Sequence, residues 1–234
     1  MDSVIVDDIE YTPNAADLKR ELLVEPGGDY ESDFDRLFAE AKRLARPKLL
    51  FRQAMVEARG PGSVLIAGVE FKSHVLSTNL AGKGRVIAFA ATSGAEIEDW
   101  AEKYASDSLW AYWTDALRES ALLCARNRLA EIVERDLGME KSSAMNPGSL
   151  EDWPMSEQLP LFSILGDTEA SIGLRLTDSM LMIPRKSVSG ILFPVEERFE
   201  SCQLCPRENC PNRRLPYDPE LAERRFGLAA KGGS

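Results

Sequence analysis

The chain has 234 residues, of which 44% are hydrophobic, so it is long enough to bury a core as one large domain or two small ones. Its 38 acidic residues outnumber its 28 basic ones and give a formal net charge of -10, which disfavours nucleic acid as a partner. The sequence has no run of about 18 apolar residues, so we expect no membrane span.

The N-terminal half predicts helices followed by a sheet. An extended segment over residues 4–11 precedes a helix that begins near Ala15. Apolar residues at helical spacing predict a second helix over 29–46, which Pro47 ends. Three β-rich pieces then follow, separated by glycine-containing turns, and they predict a sheet; they span 49–56, 63–71 and 85–91.

The C-terminal half predicts a long helical region and then shorter elements. Residues 97–137 fit two helices, the second capped by Asp107. Residues 142–153 have little periodicity and several turn formers, which predicts a loop and a candidate site. After it we expect a helix over 156–165, a hairpin made of 174–183 and 187–193, and a short helix in the tail over 217–234.

Three of the four cysteines fall close together near the C-terminus, at Cys202, Cys205 and Cys210. The N-terminus lacks a signal peptide pattern, which predicts a cytoplasmic protein in which thiolates bind metals more readily than they form disulfides. A CxxC turn directs two sulfurs at one centre, so the spacing predicts a metal site with Cys124 as a fourth ligand or as a buried bystander. Zinc and an iron–sulfur cluster both remain open.

Two groups of charged residues have both a functional and a plain interpretation. Arg207, Arg213 and Arg214 lie beside the cysteines and either contact acidic groups of a partner or are solvated. Asp115 and Glu119 are one helical turn apart and either bind the hydroxyl or amine groups of a ligand or form a solvated helix face.

An ordered series of motifs resembles a known family. A Pro-Gly loop, Asn146-Pro147-Gly148-Ser149-Leu150, is followed by an Ile-Gly-x-x-Leu-Thr-Asp-Ser stretch over 172–179 and by Ser187-Val188-Ser189-Gly190. This series resembles the activation domain of cobalamin-dependent methionine synthase. Thr92-Ser93-Gly94 and residues 112–116 are similar to free-standing relatives of that domain.

The resemblance implies a C-shaped α+β fold with a twisted antiparallel sheet and flanking helices over residues 1–200, followed by a cysteine segment and tail over 201–234. It implies an S-adenosylmethionine site that includes Asn146, Pro147, Gly148 and Ser149. It also implies docking on a cobalamin held by a partner, and hence reactivation of a corrinoid-dependent methyltransferase with an electron from a reductive donor.

The chain departs from the family's ligand loop, which reads Arg-x-x-x-Gly-Tyr. Ala144 and Ser149 replace the Arg and the Tyr, and only Gly148 is kept. A charge-assisted pair with a ligand carboxylate contributes about 1.5 to 3 kcal/mol, so the loop predicts a weakened S-adenosylmethionine site. The cysteines add an alternative, in which the chain is an iron–sulfur electron-transfer or redox-sensing protein, or a zinc-stapled interaction module.

Overall fold

The computed structural model describes residues 2–196, 199–210 and 213–228. No helix in these ranges is long and apolar enough to cross a membrane. The helices are α1 (Ala15–Glu21), α2 (Glu31–Leu44), α3 (His74–Asn79), α4 (Ala95–Glu102), α5 (Ser108–Arg135), α6 (Gln158–Leu165), α7 (Thr168–Ile172) and α8 (Pro219–Phe226), with 3-10 turns at Met155–Glu157 and Ser201–Leu204. The strands are β1 (Val4–Val6), β2 (Lys48–Arg59), β3 (Ser63–Ile66), β4 (Val69–Lys72), β5 (Arg85–Thr92), β6 (Ser142–Met145), β7 (Arg175–Leu176), β8 (Met182–Ile183) and β9 (Ser187–Pro194).

The main sheet is antiparallel and runs in the order β4-β3-β2-β5-β9-β6, with β1 also paired to β2. Strand β2 pairs with three strands, because residues 48–55 pair with β5 on one side, and on the other side residues 49–51 pair with β1 and residues 56–59 pair with β3. The fold is therefore α+β with an antiparallel sheet and flanking helices, which confirms the predicted fold class.

Side chains of the central strands alternate between two apolar layers. In β5, Val86 and Ala88 join a first cluster, whereas Ile87 and Phe89 join a cluster that packs against α5. This alternation is the period of two that a strand imposes, and it explains why nearly all of β5 is buried. The first cluster includes side chains from α3, α6, α7 and α8, so those helices cover one face of the sheet.

A cap at Asp107 explains where α4 gives way to α5 along the chain. The Asp107 carboxylate accepts hydrogen bonds from the backbone N–H groups of Leu109 (2.9 Å) and Trp110 (3.1 Å) and so begins α5. The prediction of two helices with Asp107 as the cap is confirmed. The predicted helices at 29–46 and 156–165 are confirmed as α2 and, after a 3-10 turn, α6.

Two expectations about strands were wrong. The predicted hairpin between 174–183 and 187–193 does not form, because β9 pairs with β5 and β6, whereas β7 and β8 pair with each other in a separate two-stranded sheet. Strand β9 thus lies inside the sheet between β5 and β6, and its side chains are buried on both faces of the sheet. The segment predicted as a loop over 142–153 begins with β6, which forms the edge of the sheet beside β9.

Candidate functional site

The Pro-Gly loop is a tight turn directly after β6. The Ser149 backbone N–H donates to the Asn146 carbonyl oxygen at 3.1 Å, with Pro147 and Gly148 between them. Gly148 has a φ of +83°, as the third position of a type II turn requires. A Cβ atom at Gly148 would lie 2.7 Å from Met155 Cε, so a larger residue would also displace the end of the Met155 side chain.

Two anchors hold this loop to the rest of the fold. The Asn146 amide donates to the Ser189 carbonyl oxygen of β9 at 2.7 Å. The Asp152 carboxylate accepts from the Ser73 hydroxyl and from the backbone N–H groups of His74 (3.1 Å) and Val75 (2.9 Å), which begin α3. The loop is thus fixed at one end to the sheet and at the other to a helix terminus.

The cysteine segment is held by an arginine. The Arg213 guanidinium donates to the backbone carbonyl oxygens of Cys202 (3.1 Å), Cys205 (3.2 Å), Leu215 (3.3 Å) and Arg207. An arginine presents five N–H donors in a rigid fork, so one side chain joins several turns of irregular backbone. The sequence interpretations of Arg213 as a partner contact or a solvated charge do not describe this role.

The segment also creates an environment that favours a thiolate at Cys202. Burial raises the pKa of the Cys202 thiol, but the backbone N–H groups of Arg214 and Leu215 and the Arg214 guanidinium favour the thiolate, and the net effect is a lowered pKa. Arg214 itself forms a 3.0 Å ion pair with Glu200.

The structure does not gather the cysteines into a metal site. Among the described residues, which include all four cysteines, no three His, Cys, Asp or Glu side chains are grouped so that they could hold a metal ion. Cys124 lies on α5 and packs against a helical cluster that contains Tyr11, whereas Leu204 of the cysteine segment packs in the first cluster. The predicted zinc or iron–sulfur site is therefore not supported by the described residues, and Cys124 as its fourth ligand stays a prediction.

The Pro-Gly loop and the cysteine segment instead border one cavity of about 720 Å³. This volume lies within the range of roughly 300–1,000 Å³ that is typical of small-molecule sites. Most of the lining is apolar, and its charged members are Glu151, Asp152 and Arg207. The full lining consists of Val75, Gly148, Ser149, Leu150, Glu151, Asp152, Leu204, Cys205, Pro206, Arg207, Tyr217, Ala222 and Leu228.

Asp115 and Glu119 do not border this cavity. Both accept ion pairs from Lys186, at 2.9 Å and 3.2 Å, and Asp115 also pairs with Arg118 at 3.0 Å. Burial lowers the pKa of Lys186, but the hydrogen bonds and charges of these two carboxylates outweigh it, and the pKa is raised. The structure therefore uses Asp115 and Glu119 to hold the turn before β9 against α5.

Comparisons with known proteins show the fold. No protein-family model matches the chain, and no curated protein does. A solved structure, the crystal structure of the MetH reactivation domain bound to AdoHcy, is similar with a TM-score of 0.61 and 17% sequence identity, over 98% of this chain and 87% of that one. The two chains share a fold. The resemblance seen in the motifs is thereby supported at the level of architecture.

Sequence reasoning found one wall of the cavity and missed the other. Gly148 and Ser149, which the motif singled out, line the cavity, but Arg207 and Tyr217 were not assigned to a ligand site. Their only sequence signal was their position near the cysteines, which pointed to metal chemistry. Only the packing of Leu204, Ala222 and Phe226 in the first cluster shows that this segment returns to the Pro-Gly loop.

Proposed function

We propose that this chain binds S-adenosylmethionine and its demethylated product in the cavity between the Pro-Gly loop and the cysteine segment, and that it reactivates a corrinoid-dependent methyltransferase. The observation that carries the proposal is the meeting of these two segments at one cavity, in a fold shared with a reactivation domain whose structure holds AdoHcy.

The cavity suits such a ligand in size and chemistry. The nucleoside and the thioether of S-adenosylhomocysteine need apolar surface. The cavity offers such surface at Leu150, Leu204, Tyr217 and Leu228. The ligand also needs charged groups at its amino-acid end, where the cavity presents both acidic and basic side chains. Asp152 is engaged at the start of α3, so we assign it to the support of the loop.

The chemistry in this proposal belongs to the ligand and to the partner's corrinoid. A donor reduces the inactive Co(II) corrinoid by one electron, and the resulting Co(I) takes the methyl group from the sulfonium, which leaves as S-adenosylhomocysteine. The residues of this chain bind and orient the sulfonium ligand, and the rate gain comes from placing its methyl group in line with the metal. The acidic surface suits a protein partner better than a polyanion.

The first test is calorimetric titration of the chain with S-adenosylhomocysteine, followed by an anaerobic assay with a Co(II) corrinoid protein. We expect saturable binding of one ligand per chain, and then conversion of the corrinoid spectrum to the methylated form only when the chain, S-adenosylmethionine and a reductant are all present. Conversion at the same rate without the chain, or absence of ligand binding, would contradict the proposal.

A further inference from the structure

The charged lining of the cavity points to a specific contact for the ligand's carboxylate. A carboxylate at the amino-acid end of the ligand requires a cation or several N–H donors once it leaves water. Arg207 is the one cationic side chain among the described residues that line the cavity.

Ala144 stands where the family's ligand loop has its arginine, and a residue at this position does not face the cavity. Ala144 lies on β6 and packs against the apolar cluster on the α5 side of the sheet. Leu204 and Ala222, which border the cavity, belong to the cluster on the opposite side. A cation for the cavity must therefore come from another element.

Arg207 is available for a ligand, whereas its two neighbouring arginines are engaged. Arg213 donates to four carbonyl oxygens, and Arg214 pairs with Glu200. Within the described part of the chain, no acidic side chain pairs with the Arg207 guanidinium, although the chain has 38 acidic residues. Its backbone is fixed, because Arg213 binds the Arg207 carbonyl oxygen.

We infer that Arg207 binds the carboxylate of the homocysteine or methionine end of the ligand, and that the cysteine segment has taken over this role from the position of Ala144. The inference rests on the proposed function, since it assumes a nucleoside amino acid in the cavity. A guanidinium fits a carboxylate with two parallel hydrogen bonds, so the contact selects ligands that carry this group.

The test compares two ligands on four proteins by calorimetry. S-adenosylhomocysteine carries the carboxylate, whereas 5′-methylthioadenosine shares the nucleoside and the thioether but lacks it. The proteins are the wild type, Arg207→Ala, Arg207→Lys and Arg224→Ala. Arg224 is an exposed arginine of α8 that does not line the cavity, so its variant controls for the loss of one positive charge.

We expect Arg207→Ala to weaken S-adenosylhomocysteine binding by about 10- to 100-fold, or about 1.4 to 2.8 kcal/mol, and Arg207→Lys to weaken it less. The affinity of the Arg207 variants for 5′-methylthioadenosine should stay within about threefold of the wild type. The affinity of Arg224→Ala for S-adenosylhomocysteine should also stay within about threefold of the wild type. Equal weakening of both ligands by Arg207→Ala would show a disturbed segment and overturn the inference, as would unchanged binding. If the wild type binds neither ligand, the proposed function fails and the inference fails with it.

Discussion

The side chain of Asn146 donates a 2.7 Å hydrogen bond to the backbone carbonyl oxygen of Ser189, and this bond joins the Pro-Gly loop to strand β9 of the sheet. The next residue of β9, Gly190, makes the approach feasible, because a Cβ atom there would lie 2.7 Å from Asn146 Nδ2. Two motifs that are far apart in the sequence are therefore fixed to each other, and one of them borders the cavity.

Replacing Asn146 with alanine should loosen the loop. We expect a loss of about 1 kcal/mol in the free energy of unfolding, measured in urea, because the Ser189 carbonyl loses its partner. Binding of S-adenosylhomocysteine should weaken at least severalfold. Asn127→Ala, at an exposed position of α5, is the matched control and should change stability by less than about 0.5 kcal/mol.

Gly148→Ala should affect both stability and the ligand. A left-handed backbone costs a residue with a Cβ atom about 1 to 2 kcal/mol, and here the new methyl group also meets Met155. Gly82→Ala is the control, since Gly82 has a similar φ of +71° and open space around its Cβ position. We expect both variants to lose stability and only Gly148→Ala to lose ligand affinity. If Gly148→Ala and Gly82→Ala bound the ligand with equal affinity, the Pro-Gly loop would not be part of the site.

Arg213→Ala should release the cysteine segment. Four carbonyl oxygens lose their donor, so we expect faster proteolysis within residues 202–215 and weaker binding of ligands with and without a carboxylate. This pattern differs from that of Arg207→Ala, which should affect the carboxylate ligand alone. Mass spectrometry of a limited digest locates the cleavage, and Arg224→Ala should digest like the wild type.

Arg118→Ala should be the most destabilising of these variants. Arg118 is buried and pairs with Glu98 at 2.9 Å, so its removal leaves the buried Glu98 carboxylate with Arg185 as its remaining partner and costs about 1.5 to 3 kcal/mol. The effect is read from urea unfolding. Arg128→Ala removes a half-exposed partner of Glu131 and should cost less than about 1 kcal/mol. If Arg118→Ala and Arg128→Ala lost similar amounts of unfolding free energy, burial would not explain the contribution of the Arg118–Glu98 pair.

Tyr11 should make stability depend on alkaline pH. Burial is the largest influence and raises its pKa to about 12, with Ser120 as its hydrogen-bond partner at 2.7 Å. The folded protein therefore keeps the phenol proton longer than the unfolded chain, whose tyrosines titrate near 10. The resulting stability is complete below pH 10 and is lost as the pH rises towards 12.

Tyr11→Phe tests this dependence. Near neutral pH the variant should be less stable by about 1 kcal/mol, because the hydrogen bonds of the hydroxyl are gone. Above pH 10 the wild type alone loses stability through this group, so the difference between the two unfolding free energies should shrink and then reverse. A difference that stays constant from pH 8 to pH 11.5 would contradict the raised pKa.

The sequence by itself determined the local elements. Helical spacing of apolar residues and the Asp107 cap placed α2, α4 and α5, and the Pro-Gly pair placed the turn at Asn146, because periodicity and capping act within a few residues. The ordered motifs also indicated the fold class that the structure has.

Only the tertiary structure decided what those elements do together. The rings of Phe199 and Phe226 pack 5.6 Å apart and, with Leu204, hold the cysteine segment against the same face of the sheet as α3. As a result of that packing, the cysteine segment, whose spacing predicted a metal site, forms one wall of the cavity. No local pattern could show it, because burial of apolar side chains brings together segments that the sequence leaves far apart.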